Sequence, residues 1–269
     1  MRMSIRRRSL LAGFRVGYLA MFALLIAPLI VIVGSSLAES SALRFPPEVL
    51  SVRWYAAFLS DSAWRRAVIN SLIVGTGTTV VATSLGLSAA YGVQRSDSAL
   101  VDRAVPLTLM PLFLPPVVLG VALLAFFGSF SLHQTYLSII VAHSLWATPI
   151  AFLVLQSVLS QVDWNRRDAA LDLSASPTRT FAEVVLPQIK EGLVASILIA
   201  FIISIQEFVM TLFLSGEATL TIPVLAWRSI SQALDPVVNV VSTLLIVVVT
   251  VILLIAASLI GLDRLARQL

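Results

Sequence analysis

Glu207 is the acid most out of place in this sequence. It stands in Ser204-Ile205-Gln206-Glu207-Phe208, inside an apolar run from 193 to 214. None of the other long apolar runs holds an Asp or Glu well inside it. An acid at the bilayer centre costs roughly 2.5–3.5 kcal/mol on the insertion scale, so it must meet water or a partner. The residues alone leave two roles open. Glu207, with Gln206, Ser204 and Thr211 close in sequence, could line a solute pathway and favour a passing cation. Thr211 is four residues on and shares its helical face. Alternatively, Glu207 could tie helices together by hydrogen bonds, or pair with a basic group on another subunit. His143, inside another apolar run, reads as a packed and hydrogen-bonded residue. Catalytic constellations are missing. No G-x-x-x-x-G-K-[S/T] phosphate loop, H-E-x-x-H or G-x-S-x-G occurs. Two histidines cannot by themselves build the usual zinc site, and zero cysteines exclude disulfides and thiolate metal sites.

The second stretch with chemical content is Asp168 to Pro187, DAALDLSASPTRTFAEVVLP, the longest polar interruption between two strongly apolar runs. Its spacing predicts two short helices with a turn between them. Asp168 opens the first, where the helix dipole favours an acid. Ser174-Ala175 is the turn. Ser176-Pro177 is a cap and first-turn pair that starts the second helix. Pro187 disfavours helix at Leu186 and marks a further boundary.

This stretch resembles the cytoplasmic signature of the membrane subunits of bacterial ABC importers: E-A-A, three residues, G, nine residues, I, one residue, L-P. Asp168-Ala169-Ala170, Ser174, Val184 and Leu186-Pro187 fall at those positions, with Asp for Glu, Ser for Gly and Val for Ile. If the turn needs a left-handed residue, serine there is strained by roughly 1 kcal/mol. The resemblance implies a coupling helix that docks into a groove on a separate ATP-hydrolysing subunit. Ala169 and Ala170 would allow close backbone approach, and Leu173 sits one turn from Ala169 on the same face.

The elements that must hold these residues are membrane helices. Of 269 residues, 58% are hydrophobic and 12% charged, against roughly 25% charged in an average soluble protein. Mean hydropathy is +0.98. The chain reads as an all-α integral membrane protein, one transmembrane domain over 1–269, with spans at about 16–37, 67–93, 104–130, 137–159, 193–214 and 237–262. The first run exceeds the usual 7–15 residue core of a signal peptide, so an uncleaved helix is expected. Residues 39–66 form an outer amphipathic segment rich in Trp and Tyr, which favour the membrane interface. Gly75, Gly77, Gly86 and their Thr and Ser neighbours make the second span a close-packing helix. Pro106, Pro111, Pro115 and Pro116 break the third. Irregular backbone at that depth is buried or lines a cavity, so Pro115 and Pro116 read either as pathway or as a structural kink. Thirteen of the 18 Lys and Arg fall in 1–15, 94–103, 160–192 and 263–269. The positive-inside rule then places both termini and the 160–192 loop in the cytoplasm. The high pI belongs to this topology and not to nucleic acid.

The phrases MPLFLPPVVLGVALL, SIQEFVMTLFLSG and LDPVVNVVSTLLI narrow the resemblance to the spermidine/putrescine-type permeases, the second of their two membrane subunits. That resemblance implies the MetI-like importer fold with six helices in the bacterial inner membrane. It further implies a related second permease, a pair of ATP-binding subunits carrying ATP and Mg, and an extracytoplasmic substrate-binding protein. No cofactor is expected on this chain. Members of that branch often read S-F-D-E-F where this chain has Ser204-Ile205-Gln206-Glu207-Phe208, so one acid is lost at Gln206. A polyamine or other small amine is the leading solute, with opines, aminophosphonates and iron carried by related branches. The competing class is a stand-alone secondary transporter or channel, against which no inverted internal repeat is evident.

Overall fold

Small residues decide how this chain packs. In the computed structural model, which describes residues 5–41, 45–96, 98–232 and 235–260, nearly everything is helical. The only extended pairing among the described residues is an isolated bridge, Ala38 to Leu50. The helices are α1 (Ile5–Ser36), α2 (Arg53–Ser60), α3 (Ser62–Arg95), α4 (Ala99–Leu109), α5 (Pro116–Ser129), α6 (Tyr136–Leu159), α7 (Trp164–Asp172), α8 (Pro177–Thr180), α9 (Leu186–Gln206), α10 (Val209–Leu214), α11 (Ile222–Gln232) and α12 (Val237–Ile260). Five described segments are long and apolar enough to cross a bilayer: Gly13–Ser36, Ser62–Arg95, Tyr136–Leu159, Pro177–Gln206 and Val237–Ser258. A bent pair, Arg103–Phe113 with Pro116–Ser129, makes a sixth if it is one span. The expected basic tail at 263–269 lies outside the described residues.

The chain divides into two units. One comprises residues 1–62 and 229–248. Here the Gly13–Ser36 part of α1 is apolar around its circumference, as a lipid-facing helix must be, and its most apolar stretch buries nothing, while Ser36 at its end is buried. Past its end the chain doubles back, with Glu39 N donating to Val49 O at 3.0 Å and Ser51 N to Leu37 O at 2.7 Å. The amphipathic segment expected at 39–66 contains α2, which buries Phe58 and exposes Arg53, the guanidinium lying 4.2 Å from the Trp54 ring centre.

The other unit comprises residues 63–228 and 249–269, and its core is α3, α6 and α9. Ala82, Ala147 and Ala200, one from each, form a buried cluster. A Cβ on Gly86 would lie 2.9 Å from the Phe152 backbone nitrogen, and one on Gly192 would lie 2.2 Å from Val158 Cγ2. In lipid, where apolar burial gives helices no mutual attraction, such close approach is what joins them. On α3 the buried positions Ala67, Asn70, Ser71, Val74, Gly75, Thr78, Ala82, Gly86 and Ala90 recur with helical period along one face. Asn70 holds the 215–222 loop: its Nδ2 donates to Ala218 O at 3.0 Å and Leu220 O at 2.8 Å, while Tyr136 Oη donates to Asn70 Oδ1 at 2.7 Å.

Two expected spans are corrected. The 104–130 segment is not one kinked helix. A 3₁₀ turn, Met110–Phe113, follows α4, and the axis then swings by 99° into α5. Leu114 and Pro115 are both extended (ψ 131 and 133), because the residue ahead of a proline is pushed out of the helical region. The 193–214 span starts earlier and ends sooner. Helix runs from Pro177 through Gln206, breaks at Glu207 and resumes as α10. Pro187 therefore marks no boundary. A π-helical segment, Phe181–Val185, precedes it, and this wider turn accommodates a residue that cannot donate a backbone hydrogen bond.

Candidate functional site

In the 168–187 stretch, Asp163 caps α7 by accepting from Asn165 N at 3.2 Å, so the first helix begins before Asp168. It ends in a two-bond cap. Ser174 N donates to Leu171 O at 2.9 Å and Ala175 N donates to Ala170 O at 3.1 Å. This closure requires a left-handed residue, and Ser174 has φ 67. Ser176 then caps the second helix by accepting from Arg179 N, with Pro177 in its first turn. The turn and the Ser176 cap stand where the residue types placed them, whereas the first helix starts at Trp164 and not at Asp168.

The same segment leaves an apolar side chain in the open. Leu173 is 85% exposed at the tip, and Ala169, one turn back on the same face, is also exposed. Ala170 is half-buried. Val184 and Leu186 are half-buried on either side of fully buried Val185, while Pro187 is exposed.

The opposite side of α7 is pinned to the end of α3 by residues that the spacing did not single out. Tyr91 meets Trp164 and Phe181 edge-on, with ring centres 5.6 and 5.8 Å apart. The Arg95 guanidinium lies 5.2 Å from the Trp164 ring centre, and its Nη2 is 3.5 Å from Asp168 Oδ1. Asp168 also takes Arg167 Nη1 at 2.6 Å. Burial lowers the Arg167 pKa, but hydrogen bonds to Asp168 and Tyr91 outweigh it, so the net shift is upward. Beneath the clamp, Val185 and Ile189 pack with Phe152, Leu155 and Leu159 of α6. The 168–187 segment is thus a rigid bracket carried by α3, α6 and α9.

Glu207 does not lie in mid-helix. It occupies the break between α9 and α10 with extended backbone (φ −67, ψ 123), buried to 9% exposure. Oε1 accepts from Met210 N at 2.8 Å, and Oε2 accepts from Thr211 N at 3.0 Å and Thr211 Oγ1 at 2.8 Å. His143, fully buried on α6, places Nε2 3.2 Å from Glu207 Oε2 and 2.7 Å from Thr211 Oγ1, with Nδ1 2.7 Å from Ser204 Oγ. The structure therefore joins Ser204, Glu207, Thr211 and His143 in one network. Gln206 is exposed and stands outside it, and exposed Pro115 and half-buried Pro116 occupy the other break, between α4 and α5. Thr211 was legible at four-residue spacing. His143, 64 residues upstream, carried only the signal of a polar residue in an apolar run.

Residues 82–269 match the family described as binding-protein-dependent transport system inner membrane component. The putrescine transport system permease protein PotI of Escherichia coli is 30% identical over 232 residues, 84% of this chain and 82% of its own. The spermidine/putrescine transport system permease protein PotC of Escherichia coli is 23% identical over 249 residues, 91% of this chain and 92% of its own. A chain from a bacterial ABC transporter involved in import of the acidic polysaccharide alginate superposes with TM-score 0.77 at 14% identity, covering 96% of this chain and 99% of that one. The last match bears on fold alone.

Proposed function

Because the chain belongs to the family of binding-protein-dependent transport system inner membrane components, the permeases of ABC importers, we propose that it moves a small amine of the polyamine class into the cytoplasm, driven by a separate ATPase seated on the 168–187 segment. Family membership sets aside a stand-alone secondary transporter. The whole chain works as one transmembrane permease domain beside a second, related permease, with ATP and Mg held on the ATPase. An extracytoplasmic binding protein delivers the solute.

One observation carries the coupling role: an 85% exposed Leu173 on a turn whose other side is rigidly clamped. Burying a leucine contributes roughly 1.5–3 kcal/mol, and a clamped bracket transmits displacement instead of bending. The polyamine reading rests on the likeness to PotI and PotC. The proposed pathway runs along the two helix breaks, at Pro115-Pro116 and at Ser204, Gln206 and Glu207. Irregular backbone within a membrane is tolerated where it is buried in protein or faces a cavity. Glu207 gives that region its negative charge, while Gln206 is the exposed polar side chain there.

Proteoliposomes holding the whole complex, with binding protein outside and ATP inside, should accumulate labelled putrescine or spermidine. Accumulation of neither, alongside uptake of an anionic solute, would reject the amine class.

A further inference from the structure

The imidazole of His143 bonds side chains from three successive parts of the chain at once: Ser204 on α9, Glu207 at the break and Thr211 on α10. The direction of each bond follows from its partners. Thr211 Oγ1 gives its one proton to Glu207 Oε2. Toward His143 it can then only accept, so Nε2 carries a hydrogen pointed at both Thr211 and Glu207. A carboxylate that also caps two backbone N–H groups of α10 is fixed in orientation. α10 in turn lies tightly on α5, where a Cβ on Gly120 would stand 2.7 Å from Phe213 Cδ2 and 3.3 Å from Met210 Cα. Without this knot the extended residue at Glu207, at the end of a helix that starts at Pro177, would leave α10 tied to α6 only by apolar packing of Met210 and Leu214.

We infer that His143 is a positioning residue of the transport cycle. By holding Ser204, Glu207 and Thr211 together it makes α6, α9 and α10 move as one body, so displacement at the coupling segment reaches α5 instead of being absorbed at the break. This rests on the proposed coupling only for the source of the displacement.

The chain contains no cysteine, so nitroxides at Leu153→Cys on α6 and Leu212→Cys on α10, both exposed, would be the only labels on it. Their separation is measured in the purified whole complex, nucleotide-free and ATP-bound. The wild-type distance should be the same in both states. His143→Leu and Thr211→Val should keep the nucleotide-free distance and shift or broaden it with ATP by about 2 Å or more, the scale of helix shifts in switching proteins. His143→Gln, which retains a side-chain donor, should restore wild-type behaviour; a merely structural defect would change the resting distance as well. If His143→Leu does not assemble, Thr211→Val decides. A wild-type distance that changes with ATP, or variants that keep one distance in both states, would overturn the inference. A complex that contains no ATPase contradicts the proposed function instead, and the comparison is then made between binding-protein-bound and free states.

Discussion

Single residues here are under backbone constraints that can be tested one at a time. Ser174 holds a left-handed conformation that costs a non-glycine residue roughly 1–2 kcal/mol, while glycine's greater chain entropy offsets roughly 0.5–1 kcal/mol. Ser174→Gly should therefore raise the thermal midpoint of the purified protein modestly, by less than about 1 kcal/mol in stability; a lower midpoint would show that the serine hydroxyl matters there. Glu207→Gln trades a carboxylate oxygen for a donor that faces backbone N–H groups, and a buried unsatisfied group costs roughly 1–3 kcal/mol. Asp168→Ala removes only part-exposed ion pairs, whose median worth is about 0–1 kcal/mol. Thermal unfolding should rank Glu207→Gln as clearly the more damaging, and the reverse order would contradict the capping geometry. The sequence showed that Glu207 needed a partner, because an acid in an apolar run is costly wherever it falls. It did not show the break, since Ile205 to Val209 contains neither Pro nor Gly and the chain is interrupted by the carboxylate's own bonds.

At the scale of elements, the bracket and the close helix crossings carry the account. Leu173→Asp should leave the protein folded, because the residue is exposed. It should also cut ATPase recovery in a pull-down by roughly ten-fold or more, given the value of one buried leucine. Undiminished recovery would place the interface elsewhere. Gly86→Val would drive a side chain into the Phe152 backbone, and overpacking of this kind costs roughly 1–3 kcal/mol. A drop in the thermal midpoint checks it. The helix–turn–helix of 168–187 was legible because caps, prolines and left-handed turns are local devices written in adjacent residues. Continuity through Pro187 was not, because it depends on a π segment that local proline rules do not anticipate. Nor was the 99° swing at Pro115: tandem prolines announce an interruption, but the angle is set by what α5 packs against.

For the whole molecule, the charge distribution argues for the proposed orientation and the bracket for the proposed coupling. With thirteen of the 18 basic residues on the proposed cytoplasmic side, a cytoplasm-active reporter fused near Thr180 should work and one near Glu48 should not. The opposite pattern would remove the bracket from the compartment that holds ATP. Five of the spans were readable from hydropathy alone, while the 104–130 run hid a bent pair of helices. The face each helix turns inward was not, because small and hydroxyl residues decide it and they differ little in hydropathy from their lipid-facing neighbours. The most direct test of the account is ATP hydrolysis by the reconstituted complex, with and without ligand-loaded binding protein, in wild type and in Leu173→Asp. The account predicts hydrolysis stimulated by the loaded binding protein in wild type and no stimulation in the variant. Equal stimulation in both would contradict coupling through the 168–187 segment.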